Sequence, residues 1–211
     1  MAVSKKYLDI AKMQLKLTLF PNALLAVAIA LITPLLFGIN NLDSTASSVV
    51  LERFVALSGI VLCTPLFLPE QDHSIREVIE SKITSLSGTY LIRLTLAVVV
   101  LLCILSGFIG VMLLNHCQFA AGPFIFGTFA TAFFLGSIGF AAYSLSGSVV
   151  IGYMLPLGYY MLNIFSGVRL GKLYLFSLTS GSLREKYWLL GGGVILIGIG
   201  ILYRSMVRKI R

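Results

Sequence analysis

Apolar residues come along the chain in six long runs, at positions 17–37, 49–68, 90–114, 122–145, 148–165 and 187–206, parted by shorter polar stretches. A helix needs about 20 apolar residues to cross the hydrocarbon core of a bilayer, so each run predicts a membrane-crossing helix. The fifth is short and holds Pro156, Tyr159, Tyr160 and Asn163. Pro34 is placed to kink or end the first helix, and Pro69 to close the second.

The polar stretches carry a pattern of their own. Between runs two and three, in the stretch 70–89, Ile75, Val78, Ile79 and Ile83 recur at three- and four-residue steps and build one stripe. Arg76, Glu77, Glu80 and Lys82 fall mostly off it. Ser74-Ile75-Arg76-Glu77 fits a capping box, in which a hydroxyl and a carboxylate each satisfy an orphan backbone N–H, so a short amphipathic helix should start near Ile75. Two roles suit it. The stripe can lie in the headgroup layer, or it can fill a groove on a soluble partner. Asp72, Glu77 and Glu80 favour the groove, because helices on anionic lipid are rich in Lys and Arg.

Residues 1–16 interleave Lys5, Lys6, Lys12 and Lys16 with Tyr7, Leu8, Ile10 and Met13, which predicts a basic helix lying on the membrane. The first apolar run is too long for a signal-peptide core and lacks a clear cleavage site, so it is expected to stay in the protein. Between runs five and six, Val168, Leu170, Leu173, Tyr174 and Phe176 alternate with Arg169 and Lys172, predicting a segment at, or dipping into, the outer interface. Ser182-Leu183-Arg184-Glu185 is a second capping box, set to launch the last helix. Polar residues 38–48 read as a loop, Glu52 and Arg53 as a headgroup-solvated pair, and Arg93 as a snorkelling side chain. Small residues in run four (Gly127, Thr131, Gly136, Gly139) and run six (Gly191, Gly192, Gly193, Gly198, Gly200) allow close helix approach.

Composition agrees with the pattern. Of 211 residues 58% are hydrophobic and 11% charged, against roughly 25% charged in soluble domains. The fold class is therefore an all-α integral membrane protein, a single bundle of six transmembrane helices over 1–211. A net charge of +8 could suggest nucleic acid, but the basic residues sit at the ends of apolar runs and gather on no soluble face. They report orientation. With both termini cytoplasmic, eleven Lys and Arg lie inside, against five outside (Arg53, Arg169, Lys172, Arg184 and Lys186). Three scattered cysteines make neither a disulfide framework nor a metal set, and Cys117 beside His116 has no matching pair.

Catalytic chemistry is missing from the pattern. No span centre holds Asp, Glu, Lys, Arg or His, and there is neither an HExxH on a span nor a Gly-x-Ser-x-Gly elbow. Ser144-Leu-Ser-Gly-Ser148 has no histidine to activate it and reads as a helix junction. Gly167-Val-Arg-Leu-Gly-Lys172 is one residue short of a phosphate loop, with Leu173 where Mg²⁺ needs a hydroxyl. The chain is expected to be no enzyme and to hold no cofactor of its own. Its energy must come from outside.

The order of these parts resembles the membrane subunit of ABC transporters of the ABC-2 class, the type V exporters. In residues the resemblance is sharpest at Pro69-Glu70-Gln71-Asp72, at Ile75-Arg76-Glu77-Val78-Ile79-Glu80-Ser81-Lys82 and at Tyr90-Leu91-Ile92-Arg93-Leu94, which look like the matching run of small bacterial permeases in that class. The resemblance implies an N-terminal elbow helix carrying Lys5, Lys6, Lys12 and Lys16, and a cytoplasmic coupling helix between spans two and three. It also implies a re-entrant outer segment between spans five and six. A separate ATP-binding subunit, with its ATP and Mg²⁺, would dock on Glu70, Asp72, Ser74, Ile75, Arg76, Glu77, Val78, Ile79, Glu80 and Lys82. A second permease subunit, identical or related, would complete the pathway in the cell membrane.

Phe129, Phe133, Tyr153, Tyr159, Tyr160 and Asn163 either line a path for an amphipathic peptide or other hydrophobic cargo, or pack against neighbours and lipid. The alternative from another class is a non-transporting membrane partner, a sensor, immunity or assembly protein, that docks a cytosolic protein through the same amphipathic helix.

Overall fold

A computed structural model describes residues 19–71 and 86–210. Among them the chain is 87% helical, with no strand, and six helices are long and apolar enough to cross a bilayer. These spans one to six are Phe20–Phe37, Ser44–Phe67, Tyr90–Leu114, Ala121–Ser146, Val149–Ser166 and Arg184–Met206, consistent with a multi-pass membrane protein. Spans two and four form the inside of the bundle, with 78% and 83% of their most apolar stretches buried, against 17–33% in the other four.

Small residues explain that arrangement. Gly59 of span two lies so close to span four that a Cβ there would meet the Ala132 carbonyl oxygen at 2.0 Å. A Cβ on Gly136 would come within 2.6 Å of the Gly59 carbonyl oxygen. Span six leans on span four in the same way, its Gly193 and Gly200 receiving the Phe133 and Phe140 rings. Close approach compensates for the missing hydrophobic drive between helices in lipid by adding van der Waals contact.

Span two is not one helix. It begins at Ser44, five residues before the expected 49, because the Asp43 side chain accepts from the Ala46 N–H (2.9 Å) and caps it. It runs as an α-helix to Arg53, tightens to a 3₁₀ turn over Val55–Leu57, resumes as Ser58–Cys63 and passes into 3₁₀ geometry over Thr64–Gln71. Pro65 departs from helical geometry there (φ −83°, ψ 19°), where its ring supplies no N–H to the carbonyl one turn back. No proline or glycine accounts for the upper break. Its loosened carbonyls are met by side chains instead: Tyr160 Oη donates to Arg53 O (2.7 Å) and Ser58 Oγ to Val55 O (2.6 Å).

Pro34 stays inside span one, which ends where Gly38 turns to φ 62° and donates to Pro34 O (3.0 Å). Spans four and five meet at Gly147 in left-handed geometry (φ 70°), so Ser144–Ser148 is a helix junction, with Ser144 Oγ donating to Gly200 O (2.6 Å). The turns after spans one and three are tied together by Asn41 N to Asn115 O and Gln118 N to Leu42 O, both 3.0 Å. They mark the far end of the bundle. The stretch joining spans two and three leaves from the opposite, near end.

Candidate functional site

At the near end an aromatic cluster closes on Phe67, within the 3₁₀ stretch that ends at Gln71. Phe67 is fully buried, with Phe140, Tyr90 and Tyr143 around it at ring separations of 4.7, 5.0 and 5.6 Å. The Arg204 guanidinium lies 4.6 Å over the same ring, a cation held by the negative face of the π system. Arg93, expected to snorkel to the headgroups, is instead 2% exposed and donates through Nη1 to the Leu66 carbonyl (2.9 Å). The kink at Pro65 and the end of the helical stretch at Gln71 free carbonyls, and a cation serves them better than lipid would.

The remaining docking residues, Asp72 through Lys82, and Lys5, Lys6, Lys12 and Lys16 of the elbow lie outside the described residues, as does the side chain of Glu70.

The far end holds a site that the sequence reading misplaced. Glu52, expected among the headgroups, is fully buried and forms an ion pair with Lys186, itself fully buried. The Lys186 ammonium uses its three donors on the Glu52 carboxylate, the Leu175 carbonyl and Thr131 Oγ1 (2.7 Å). Glu52 also accepts from the Leu178 N–H (3.2 Å). Two charges removed from water persist only where partners offset the loss, and here the partners come from spans two, four and six and from the segment between five and six, all those of Glu52 falling on Oε1 while its buried Oε2 accepts no hydrogen bond. Arg53, next in sequence, faces the Phe176 ring at 5.6 Å.

That segment folds inward. Leu175, Phe176, Ser177 and Leu178 are buried, and Leu178 occupies the notch left by Gly127, where a Cβ would come within 2.6 Å of it. Ser182 and Glu185 meet side chain to side chain, the hydroxyl donating to the carboxylate, while the Ser182 N–H donates to Ser177 O, so the expected reciprocal capping box is replaced by this direct contact; span six starts at Arg184, ahead of the expected 187. Loss of solvation pushes the Tyr174 phenol above its ordinary range, the Glu52 charge adding to this and Arg53 opposing it.

Most residues expected to line a pathway hold this segment or the core. Tyr159 Oη donates to Leu173 O (2.6 Å), Asn163 Oδ1 accepts from Leu175 N (2.9 Å), and Tyr160 serves the break in span two. Phe129 and Phe133 stack at 5.6 Å within the core, and Tyr153 is half-buried against the cluster around Tyr160. An apolar groove of about 380 Å³ lies elsewhere, between spans one and three, against Ala30, Pro34, Cys103, Gly107 and Phe108. No group of three His, Cys, Asp or Glu able to hold a metal occurs among the described residues, and Cys117 Sγ instead donates to Ile39 O (3.1 Å).

A polar partner set of this depth could have been suspected from Glu52 and Thr131 standing in two different apolar stretches, with Lys186 just ahead of a third. Nothing in the sequence pairs them. Compared with models of protein families, with curated proteins and with solved structures, the chain finds no match in any of the three.

Proposed function

We propose that the chain is the permease subunit of an ATP-driven exporter of the ABC-2 class, forming half of a translocation pathway for an amphipathic peptide or other hydrophobic cargo. The observation that carries this reading is the run Pro69–Leu94, with its capping box, apolar stripe and the Tyr90-Leu91-Ile92-Arg93-Leu94 sequence, set between two membrane-crossing helices. Two features support it further. The run is anchored on both sides, through Phe67 and through Tyr90 and Arg93, in one buried cluster with Arg204. A short segment between spans five and six folds into the far end, as the resemblance implies for a re-entrant piece.

In this reading Ile75–Lys82 docks on a separate ATP-binding subunit, which carries ATP and Mg²⁺, and Lys5–Lys16 lies against that subunit's surface. A second permease subunit encloses the pathway, the protein sits in the cytoplasmic membrane, and the near end with both termini is cytoplasmic. Force on the docked helix reaches the bundle at Phe67, so that the two arrangements of the spans are biased by the ATPase rather than by chemistry in this chain.

Co-expression with an ABC-type ATP-binding subunit from the same genome tests the reading. The two should co-purify in detergent, Ile79→Asp should abolish the association by placing a charge on the apolar stripe, and the complex should hydrolyse ATP. A complex that survives Ile79→Asp removes the docking assignment. Capture of a cytosolic protein without ATPase activity would favour the non-transporting membrane partner.

A further inference from the structure

Five side chains from four spans grip the backbone of one short stretch, Leu173–Leu178. Tyr159 and Asn163 reach it from span five, Thr131 from span four (3.2 Å to Leu175 O), Lys186 from span six and Glu52 from span two. Apolar packing alone could have seated it, since Leu175, Phe176 and Leu178 already face inward. The ion pair adds something other than stability. Losing water from both charges offsets most of their attraction, whereas separating them without water is strongly unfavourable. Such a pair makes intermediate positions costly and leaves two acceptable ones: closed with the charges joined, or open with both hydrated.

A second observation points the same way. The hydroxyls of Ser47, Thr128 and Ser177 are buried without a hydrogen-bond partner, and they stand on the three elements that meet around the pair: the start of span two, span four and the segment itself. Buried hydroxyls left unsatisfied favour any arrangement that gives them partners. Water admitted along this seam would do so.

We propose that Leu173–Ser180 is a plug seated in the far end of the bundle, and that Glu52 and Lys186 are the latch that keeps it there. Opening parts the two charges, withdraws Leu178 from the Gly127 notch and wets a seam lined by Ser47, Thr128, Thr131 and Ser177. Arg53, stacked on Phe176, travels with the plug's aromatic edge or releases it. In the exporter reading this is the exit closure. The latch itself does not depend on that reading and is tested without nucleotide or partner.

The full chain, with Cys63, Cys103 and Cys117 replaced by alanine and Ser177→Cys introduced, is placed in nanodiscs, where both faces are accessible, and its reaction with N-ethylmaleimide is timed. The native pair should hold labelling slow, and Glu52→Gln with Lys186→Met, which removes both charges and so strands neither, should speed it by roughly tenfold or more. Thr179→Cys, at an exposed position, should label fast in both backgrounds.

Ser48 Oγ and Thr179 Oγ1 lie 3.4 Å apart, so Ser48→Cys with Thr179→Cys should cross-link readily with the pair intact and several-fold more slowly without it. Equal Ser177→Cys rates with and without the pair, or fast labelling in the native background, would overturn the proposal. Should the double charge variant fail to fold, Thr131→Val takes its place, and an unchanged rate there overturns the proposal as well. If the plug loosens as expected while no ATP-binding subunit associates, the exporter reading falls and the latch stands.

Discussion

Lys186 has three donors and three acceptors within reach, one of them a charge, and its stem is enclosed by protein. Removing either partner of such a pair leaves the other ionised in a dry site. Lys186→Met alone should therefore destabilise the fold by about 3–5 kcal/mol, while the neutral pair Glu52→Gln with Lys186→Met should cost much less. Unfolding by SDS in mixed micelles measures both; equal losses in the single and double variants would mean that the charges are not coupled.

The residue scale is also where sequence reading was weakest. Glu52 and Arg53 look alike on paper, an ion pair in the first turn of a span, yet Glu52 points inward to Lys186 while Arg53 turns to Phe176. Sequence distance hides this, because 134 residues separate Glu52 from Lys186.

At the scale of elements, spans four and five could be read from hydropathy almost to the residue: 122–145 became Ala121–Ser146 and 148–165 became Val149–Ser166. Span four ends at Gly147, and span five is bounded by Ser148 and Gly167, so neither gains a polar turn of helix beyond its apolar run. Span two could not, since its first turn, Ser44-Thr45-Ala46-Ser47-Ser48, is polar and is held by the Asp43 cap and by packing on the inward-folded segment.

Glycine contacts separate the structural from the idle. Gly59→Ala should force spans two and four apart, because the obstacle is the Ala132 backbone, and should cost about 3 kcal/mol or more. Gly191→Ala and Gly198→Ala, with nothing within 4 Å of the added carbon, should stay within about 0.5 kcal/mol of the parent. The same SDS titration distinguishes them, and a Gly59→Ala protein as stable as the parent would mean that the span two to span four contact is looser than described.

Across the whole molecule the charged side chains of the described residues fall into two layers. Asp43, Glu52, Arg53, Arg169, Lys172, Arg184, Glu185 and Lys186 lie toward the far end, and Arg93 and Arg204 toward the near end. Eighteen residues of one helix part Lys186 from Arg204, about 27 Å at the usual rise and close to the roughly 30 Å of a hydrocarbon core. The uncharged slab between is what a bilayer demands.

If the near end is cytoplasmic, Ser81→Cys should resist a membrane-impermeant maleimide in intact cells and Asn40→Cys should react with it. The reverse pattern would invert the bundle and place the amphipathic helix out of reach of any ATPase.

Periodicity and run length alone determined that the chain is helical and that it carries six helices long and apolar enough to cross a membrane, because the cost of burying a backbone polar group in lipid leaves a local sequence few options. Only the tertiary structure decided which polar residues of those spans meet. Lys186, Glu52, Thr131 and the backbone of Leu175 and Leu178 come from separate stretches, and the free energy that makes their meeting necessary, the penalty for an unpaired charge away from water, exists only once the helices have packed.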